Sequence, residues 1–155
     1  MKTINLFWEL KSFEELNSFE LYTILKLRSQ VFVVEQNCIF LDMDDKDYYS
    51  HHLMGWIDKD LAAYSRLIAP GKVYTQMTIG RVVISPKYRN TGSGKELITV
   101  SIKRCYELFG KQEIKIGAQF YLKKFYSLFG FTQSSDIYDE DGIEHIEMIK
   151  NAQTQ

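Results

Sequence analysis

The segment Arg89-Asn90-Thr91-Gly92-Ser93-Gly94 lies between the apolar run Ile79 to Ile84 and a helical pattern that begins near Ser93. That order makes a strand end, turn through glycines and feed directly into a helix. Several backbone N–H groups at the helix start then lack an intrahelical acceptor and converge on one point. Glycine removes Cβ atoms where the backbone must approach a ligand and permits positive φ. The helix macrodipole adds about half a positive charge at the same end. The expected occupant is a phosphate or diphosphate. Two other phosphate loops fail on spacing. A nucleotide P-loop needs a glycine upstream of its Gly-Lys pair and Ser or Thr after it, whereas Gly94-Lys95 has Arg89 in the upstream position and Glu96 behind it. A dinucleotide fingerprint needs a small residue where Leu97 stands.

The remaining pattern defines an order of elements. Phe19 to about Phe32 reads as a helix with Ser18 as its N-cap. The β-branched run Val31 to Val34 is expected to unwind it into a loop, Gln36 to Tyr49. That loop carries Asp42, Asp44, Asp45 and Asp47 but lacks the glycine and terminal glutamate of a calcium loop, so it is expected to be a solvated acidic loop. Leu53 to Ile57 and Leu61 to Ile68, joined by Asp58-Lys59-Asp60, read as a hairpin, and Thr78 to Ile84 is the next strand, with Pro86 marking its exit. Leu97, Ile98, Ser101, Ile102, Cys105 and Phe109 trace one helical stripe ended by Gly110. Ile114 to Ala118 is a short buried strand. Leu122, Phe125, Tyr126 and Phe129 share a face of a second helix stopped by Gly130, and Ile143 to Ile149 is a terminal strand. The class is mixed α/β in a single domain, 1–155, a length sufficient for one core.

Nineteen basic and twenty acidic side chains give a net charge of −1, which offers no electrostatic footprint for nucleic acid. No apolar stretch approaches the roughly 20 residues of a membrane span, and the N-terminus lacks the continuous apolar segment of a signal peptide. A cytoplasmic location is the expectation. Cys38 and Cys105 match no metal spacing; Cys105 is expected to be a buried small hydrophobe, and nothing near Cys38 marks it as a nucleophile. The adjacent His51 and His52 point apart if extended, so no metal site is expected.

Arg-x-x-Gly-x-Gly after a strand resembles the acetyl-coenzyme A loop of the GNAT superfamily of N-acetyltransferases. Ala118 to Phe131, ending Phe-Tyr-x-x-x-Gly-Phe, resembles that superfamily's second signature. Val31 to Cys38, Gly117-Ala118-Gln119 and Tyr138 to Ile146 resemble its ElaA-like branch, so the likeness runs from about Tyr22 to Lys150. It implies a GNAT fold: a mostly antiparallel sheet splayed after its fourth strand, helices on both faces, and acetyl-CoA as cosubstrate with its pantetheine in the gap. The implied reaction is direct attack by a primary amine of a small molecule or peptide on the thioester in a ternary complex. The alternative is a silent acyl-CoA-binding sensor.

The resemblance also implies roles. A main-chain amide within Val82, Val83 and Ile84 faces the thioester oxygen, and amides of Arg89, Asn90, Thr91, Gly92, Ser93, Gly94 and Lys95 hold the diphosphate. The Arg89 side chain is expected to pair with phosphate oxygens; for the side chains of Lys95 and Lys124, a solvated surface position is the ordinary reading. Tyr126 stands beside the coenzyme sulfur as candidate acid, while Phe125 and Phe129 are core. Many relatives carry Asn after the fifth strand, where Gln119 offers the same amide one methylene further out. An ammonium acceptor must lose a proton before attack; Glu35 is the first choice of base, His145 the second and Asp141 the third. Glu35 and the acidic loop favour a cationic acceptor. For a homodimer patch, an exposed aromatic such as Trp8 or Tyr138 is the place to look.

Overall fold

The computed structural model describes residues 4–152. Four strands, β1 (Phe7–Ser12), β2 (His51–Ile57), β3 (Asp60–Ile68) and β4 (Thr78–Ile84), form one antiparallel sheet in sequential order. A second antiparallel sheet has the order β5 (Ile114–Gln119), β8 (Ile143–Lys150), β6 (Phe131–Gln133), with β7 (Tyr138–Glu140) also paired to β8. The sheets touch through the main chain at a parallel bridge between Met77 and Ile114, where the Lys115 N–H donates to the Met77 carbonyl at 3.0 Å. Beyond that rung β4 and β5 part. The expected splay after the fourth strand is therefore present. β1 is an additional strand whose burial does not alternate cleanly, with Phe7 exposed and the rest half-buried, which leaves no period-two signal in its sequence.

Helices α1 (Ser18–Arg28) and α2 (Ser93–Phe109) cover opposite faces of the first sheet. The strand period of two does the sorting. Met54, Tyr64 and Val83 meet Ile24, Leu27 and Val31 from α1 and the turn after it, whereas Leu53 and Ala63 meet Leu97 of α2. Burying each such aliphatic side chain is worth about 1.5–3 kcal/mol. Cys105 lies fully buried in the α2 face, where burial pushes its thiol up to about 12. The short α3 (Lys123–Ser127) places Tyr126 against Phe131, with Phe125 and Phe129 packed on the same cluster.

Several boundaries differ from the sequence expectation. The N-cap of α1 is Asn17, not Ser18: its side chain accepts from the Glu20 N–H at 2.8 Å while the Glu20 carboxylate accepts from the Asn17 N–H, a reciprocal capping box. The helix does not unwind at Val31 but continues in π geometry over Ser29–Glu35. The aromatics proposed for a dimer patch are engaged internally. Trp8 donates to Glu96 at 2.7 Å with its ring in the space above Gly55, where a Cβ would lie 2.8 Å away. Tyr138 stacks on His145.

The largest correction concerns the acidic loop. Asp42 and Asp47 are buried, and with Asp44 they bind three arginines that stand in otherwise apolar elements. Arg28, with 0% exposure, donates to Asp42 Oδ2 at 2.8 Å and Asp47 Oδ1 at 2.7 Å. Arg66 donates to Asp44 Oδ1 and Oδ2 at 2.8 and 2.9 Å, and Arg81 to Asp42 Oδ1 at 2.8 Å. Burial alone would raise the Asp44 and Asp47 carboxyls, but hydrogen bonds from Arg66 and Arg28 prevail and hold both below the usual carboxylate range. His52, buried beside them, contacts the Asp47 carbonyl and the Tyr64 hydroxyl, and burial lowers its pKa. His51 leaves by the other face to meet Phe109.

Arg81 also marks a β-bulge. The register moves from Tyr64↔Val83 to Arg66↔Gly80, so Ser65 opposes both Arg81 and Val82. Arg81 sits there at φ +49°, a left-handed conformation that costs a side-chain-bearing residue about 1–2 kcal/mol. Because removing one partner orphans buried charge, Arg28→Ala is expected to cost roughly 3–5 kcal/mol of stability, measurable by urea denaturation. A loss below about 1 kcal/mol, the range of exposed pairs, would show that the arginine–aspartate network is not the anchor of the loop.

Candidate active site

A cleft of about 760 Å³ opens where β4 and β5 separate. Its floor comes from Val82, Val83 and Ile84 of β4 and from Ala118 and Gln119 of β5. One wall carries Phe32, Glu35 and Gln36 from the π turn together with Cys38 and Phe40, and the opposite wall carries Phe125 and Tyr126. The β7–β8 hairpin contributes Glu140, Asp141 and His145. It turns through Asp141 at φ +53° and Gly142 at φ +85°, a conformation suited to an Asp-Gly pair.

At one end of the cleft the chain leaves β4, makes a single helical turn over Pro86–Tyr88, and enters α2 through Asn90 at φ +62° and Gly92 at φ +85°. Gly92 is the N-cap, and no side chain caps the helix. The first amides of α2 consequently lack the filling that Asn17 supplies in α1, and the dipole of a 17-residue helix points at the same place. Thr91 braces the loop from behind: its hydroxyl donates to the Tyr88 carbonyl at 2.7 Å and pairs with the Ser93 hydroxyl at 2.7 Å. Arg89, Asn90, Gly92, Ser93 and Gly94 line the cleft, while Thr91 and the exposed Lys95 and Lys124 are not among its walls.

Two predicted residues are joined in an unforeseen way. Arg89 donates to Glu35 Oε1 at 2.6 Å and to Glu35 Oε2 at 2.8 Å. The hydrogen bond from Arg89 lowers the Glu35 pKa, which makes it a poorer proton acceptor, and Glu35 in turn occupies the guanidinium expected to meet phosphate. Gln119 forms a long reciprocal amide pair with Gln36, at 3.3 and 3.5 Å. Neither Gln36 nor Arg81 stands out in the sequence, though an arginine inside the strand Thr78 to Ile84 is itself a signal that a partner must exist.

Tyr126 is buried, faces the cleft, and makes no hydrogen bond through its hydroxyl among the described residues. Burial raises its pKa, so the phenol stays protonated. The His145 Nδ1 lies 2.8 Å from the Ile143 carbonyl. A carbonyl only accepts, so Nδ1 carries the hydrogen and Nε2 holds the lone pair. Glu140 Oε2 lies 3.6 Å from Nε2. Asp141 lines the same rim, and its carbonyl accepts from the Cys38 thiol at 3.0 Å. Burial, then Asp141 and Asp139, push that thiol up, away from thiolate chemistry.

Residues 34–152 match the family described as acetyltransferase (GNAT) domain. Protein ElaA of Escherichia coli is 36% identical over 145 residues, covering 92% of this chain and 95% of its own length. Its crystal structure superposes with a TM-score of 0.88 over 94% of this chain and 99% of that one. An acyl-CoA N-acyltransferase from Pseudomonas aeruginosa, 38% identical, superposes with a TM-score of 0.90 over 94% and 99% of the two chains. A UPF0039 protein from Synechocystis sp. is 39% identical over 143 residues, 92% of this chain and 93% of the other.

Glu35→Gln releases the Arg89 guanidinium, and with Arg89 expected to meet the diphosphate the variant is expected to tighten coenzyme A binding by about two- to tenfold, the reach of one charge-assisted pair at a half-exposed site. Calorimetric titration reads this directly. Unchanged or weaker binding would mean that Arg89 does not transfer to phosphate.

Proposed function

The chain belongs to the GNAT family of acetyltransferases, and on that footing we propose that it moves an acetyl group from acetyl-CoA to a primary amine, with both substrates in the cleft at once. The observation that carries this reading is the uncapped start of α2 opening onto the gap between β4 and β5. A diphosphate at those amides satisfies donors that no side chain fills, and an extended pantetheine fits beside β4, whose unpaired main-chain groups act on it as a neighbouring strand would. The Pseudomonas relative is an acyl-CoA N-acyltransferase, which supports an acyl thioester as donor.

The amine nitrogen attacks the thioester carbonyl carbon, forming the C–N bond as the C–S bond breaks and its electron pair leaves on sulfur. One N–H from Val82 to Ile84 directed at the carbonyl oxygen is worth about 3 kcal/mol to the barrier. Tyr126 stands in the wall with a free, protonated hydroxyl. Its raised pKa suits it to stabilise the leaving thiolate by a short hydrogen bond more than to give up its proton outright. The ammonium proton goes to His145 Nε2, whose lone pair is left open by the Nδ1 contact. His145 thus takes precedence over Glu35, which Arg89 already holds. Glu140 and Asp141 on the rim favour a cationic acceptor.

The test is a screen of polyamines, amino sugars, aminoglycosides and peptide N-termini with acetyl-CoA, read as thiol release above hydrolysis. Background release for every amine, with coenzyme A still bound, would favour a sensor. With an accepted amine, Tyr126→Phe is expected to lower kcat by about 10²-fold while coenzyme A affinity stays within about threefold. Parallel losses in both quantities would assign Tyr126 to packing.

A further inference from the structure

Among the described residues, six non-glycine residues adopt positive φ, and five of them, Asn37, Asp45, Asp58, Asn90 and Asp141, are of the short polar types that tolerate it. The sixth is Arg81, a long side chain inside a strand, at the one place where β4 carries two residues against a single one on β3. That place lines the cleft immediately before Val82, Val83 and Ile84. A strained backbone at a site needs a restraint that over-determines it.

Arg81 carries such a restraint in its contacts with Asp42. Arg81 Nε donates to Asp42 Oδ1 at 2.8 Å and Arg81 Nη2 to the Asp42 carbonyl at 2.8 Å, so one guanidinium grips both the side chain and the main chain of a single residue. The other carboxylate oxygen of Asp42 takes Arg28 Nε at 2.8 Å, which locks Asp42 to α1. Phe40 lies under the guanidinium, 5.8 Å from ring centroid to Cζ. Across the bulge, Ser65 is fixed to α2 through Ser101 at 2.8 Å. Without the grip on Arg81 the extra residue is free to flatten or migrate along β4. A shift of one residue turns Val82, Val83 and Ile84 to the opposite face.

We propose that Asp42 and Arg81 are positioning residues for acyl transfer: the Asp42–Arg81 clamp holds the β4 bulge in register and thereby aims a main-chain N–H from Val82 to Ile84 at the thioester oxygen. This rests on the acyl-CoA reading above. The clamp touches neither thioester nor amine; it acts through the backbone it fixes.

Arg81→Gly isolates the clamp, since glycine accepts positive φ without strain and only the guanidinium contacts are lost. The probe is acetyl-CoA labelled with a heavy isotope at its carbonyl carbon, bound to the protein and read by difference infrared spectroscopy, with affinity from calorimetry. No acceptor is required. In the parent protein the bound carbonyl stretch is expected below that of free acetyl-CoA, because an N–H polarises it. In Arg81→Gly it is expected to return toward the free value, with affinity changed by no more than about threefold because the diphosphate loop is untouched. Arg81→Lys, which keeps the charge but not the planar fork, is expected to fall between the two. A glycine variant with the parent's carbonyl frequency overturns the inference, as does a parent protein that binds acetyl-CoA without shifting its carbonyl. Failure of the parent to bind acetyl-CoA at all overturns the acyl-CoA reading beneath it.

Discussion

Three arginines set among apolar neighbours have to find anions, and the way they do so determines where the cleft wall lies. Arg28 on α1, Arg66 on β3 and Arg81 on β4 converge on Asp42, Asp44 and Asp47 of the segment between the π turn and β2. An isolated buried guanidinium is strongly disfavoured, and a carboxylate pair with good geometry recovers most of that penalty. Cys38 and Phe40, which line the cleft, hang from a segment pinned at Asp42, and Arg81 transmits the same anchor into β4.

The two long helices show how one physical need is met in opposite ways. At α1 the side chain of Asn17 and the carboxylate of Glu20 exchange hydrogen bonds with the helix start, and Glu20 also accepts from Lys11 at 2.7 Å, tying β1 to the helix. At α2 the corresponding position is Gly92, which has no side chain to offer. The start of α1 is filled from within, whereas the start of α2 leaves its first amides without a side-chain acceptor. The contrast between an asparagine and a glycine at equivalent cap positions is the difference between a helix start closed by its own chain and one left open to the cleft.

Much of this was legible in the chain. The strand–turn–helix around Arg89 to Gly94, the stripe from Leu97 to Phe109 and the position of Tyr126 follow from local spacing, because local spacing is what fixes them. The arginine–aspartate network was not legible in the same way. Asp42, Asp44 and Asp47 look like any solvated acidic run until their partners, 14 to 39 residues away in sequence, are known. The signal lay in the arginines instead: a charged residue inside Leu61 to Ile68 stands in an almost wholly buried strand, and one inside Thr78 to Ile84 in a half-buried one, so each calls for a partner. Asn17 lost to Ser18 as the predicted cap because both are good caps and only Glu20 at the third helical position decides between them. The pairing of Glu35 with Arg89 is tertiary and leaves no trace in either local pattern.

The bridge between Met77 and Ile114 bears on how the molecule can move. Past that rung, neither ladder crosses from one sheet to the other among the described residues. The two sheets are therefore arranged like the blades of a pair of shears around a rivet. A few degrees of rotation at the rivet translate into a larger displacement at the tips near Gln119 and Ile84, and this opening strains side-chain links such as Gln36 with Gln119 while every rung within each blade stays intact.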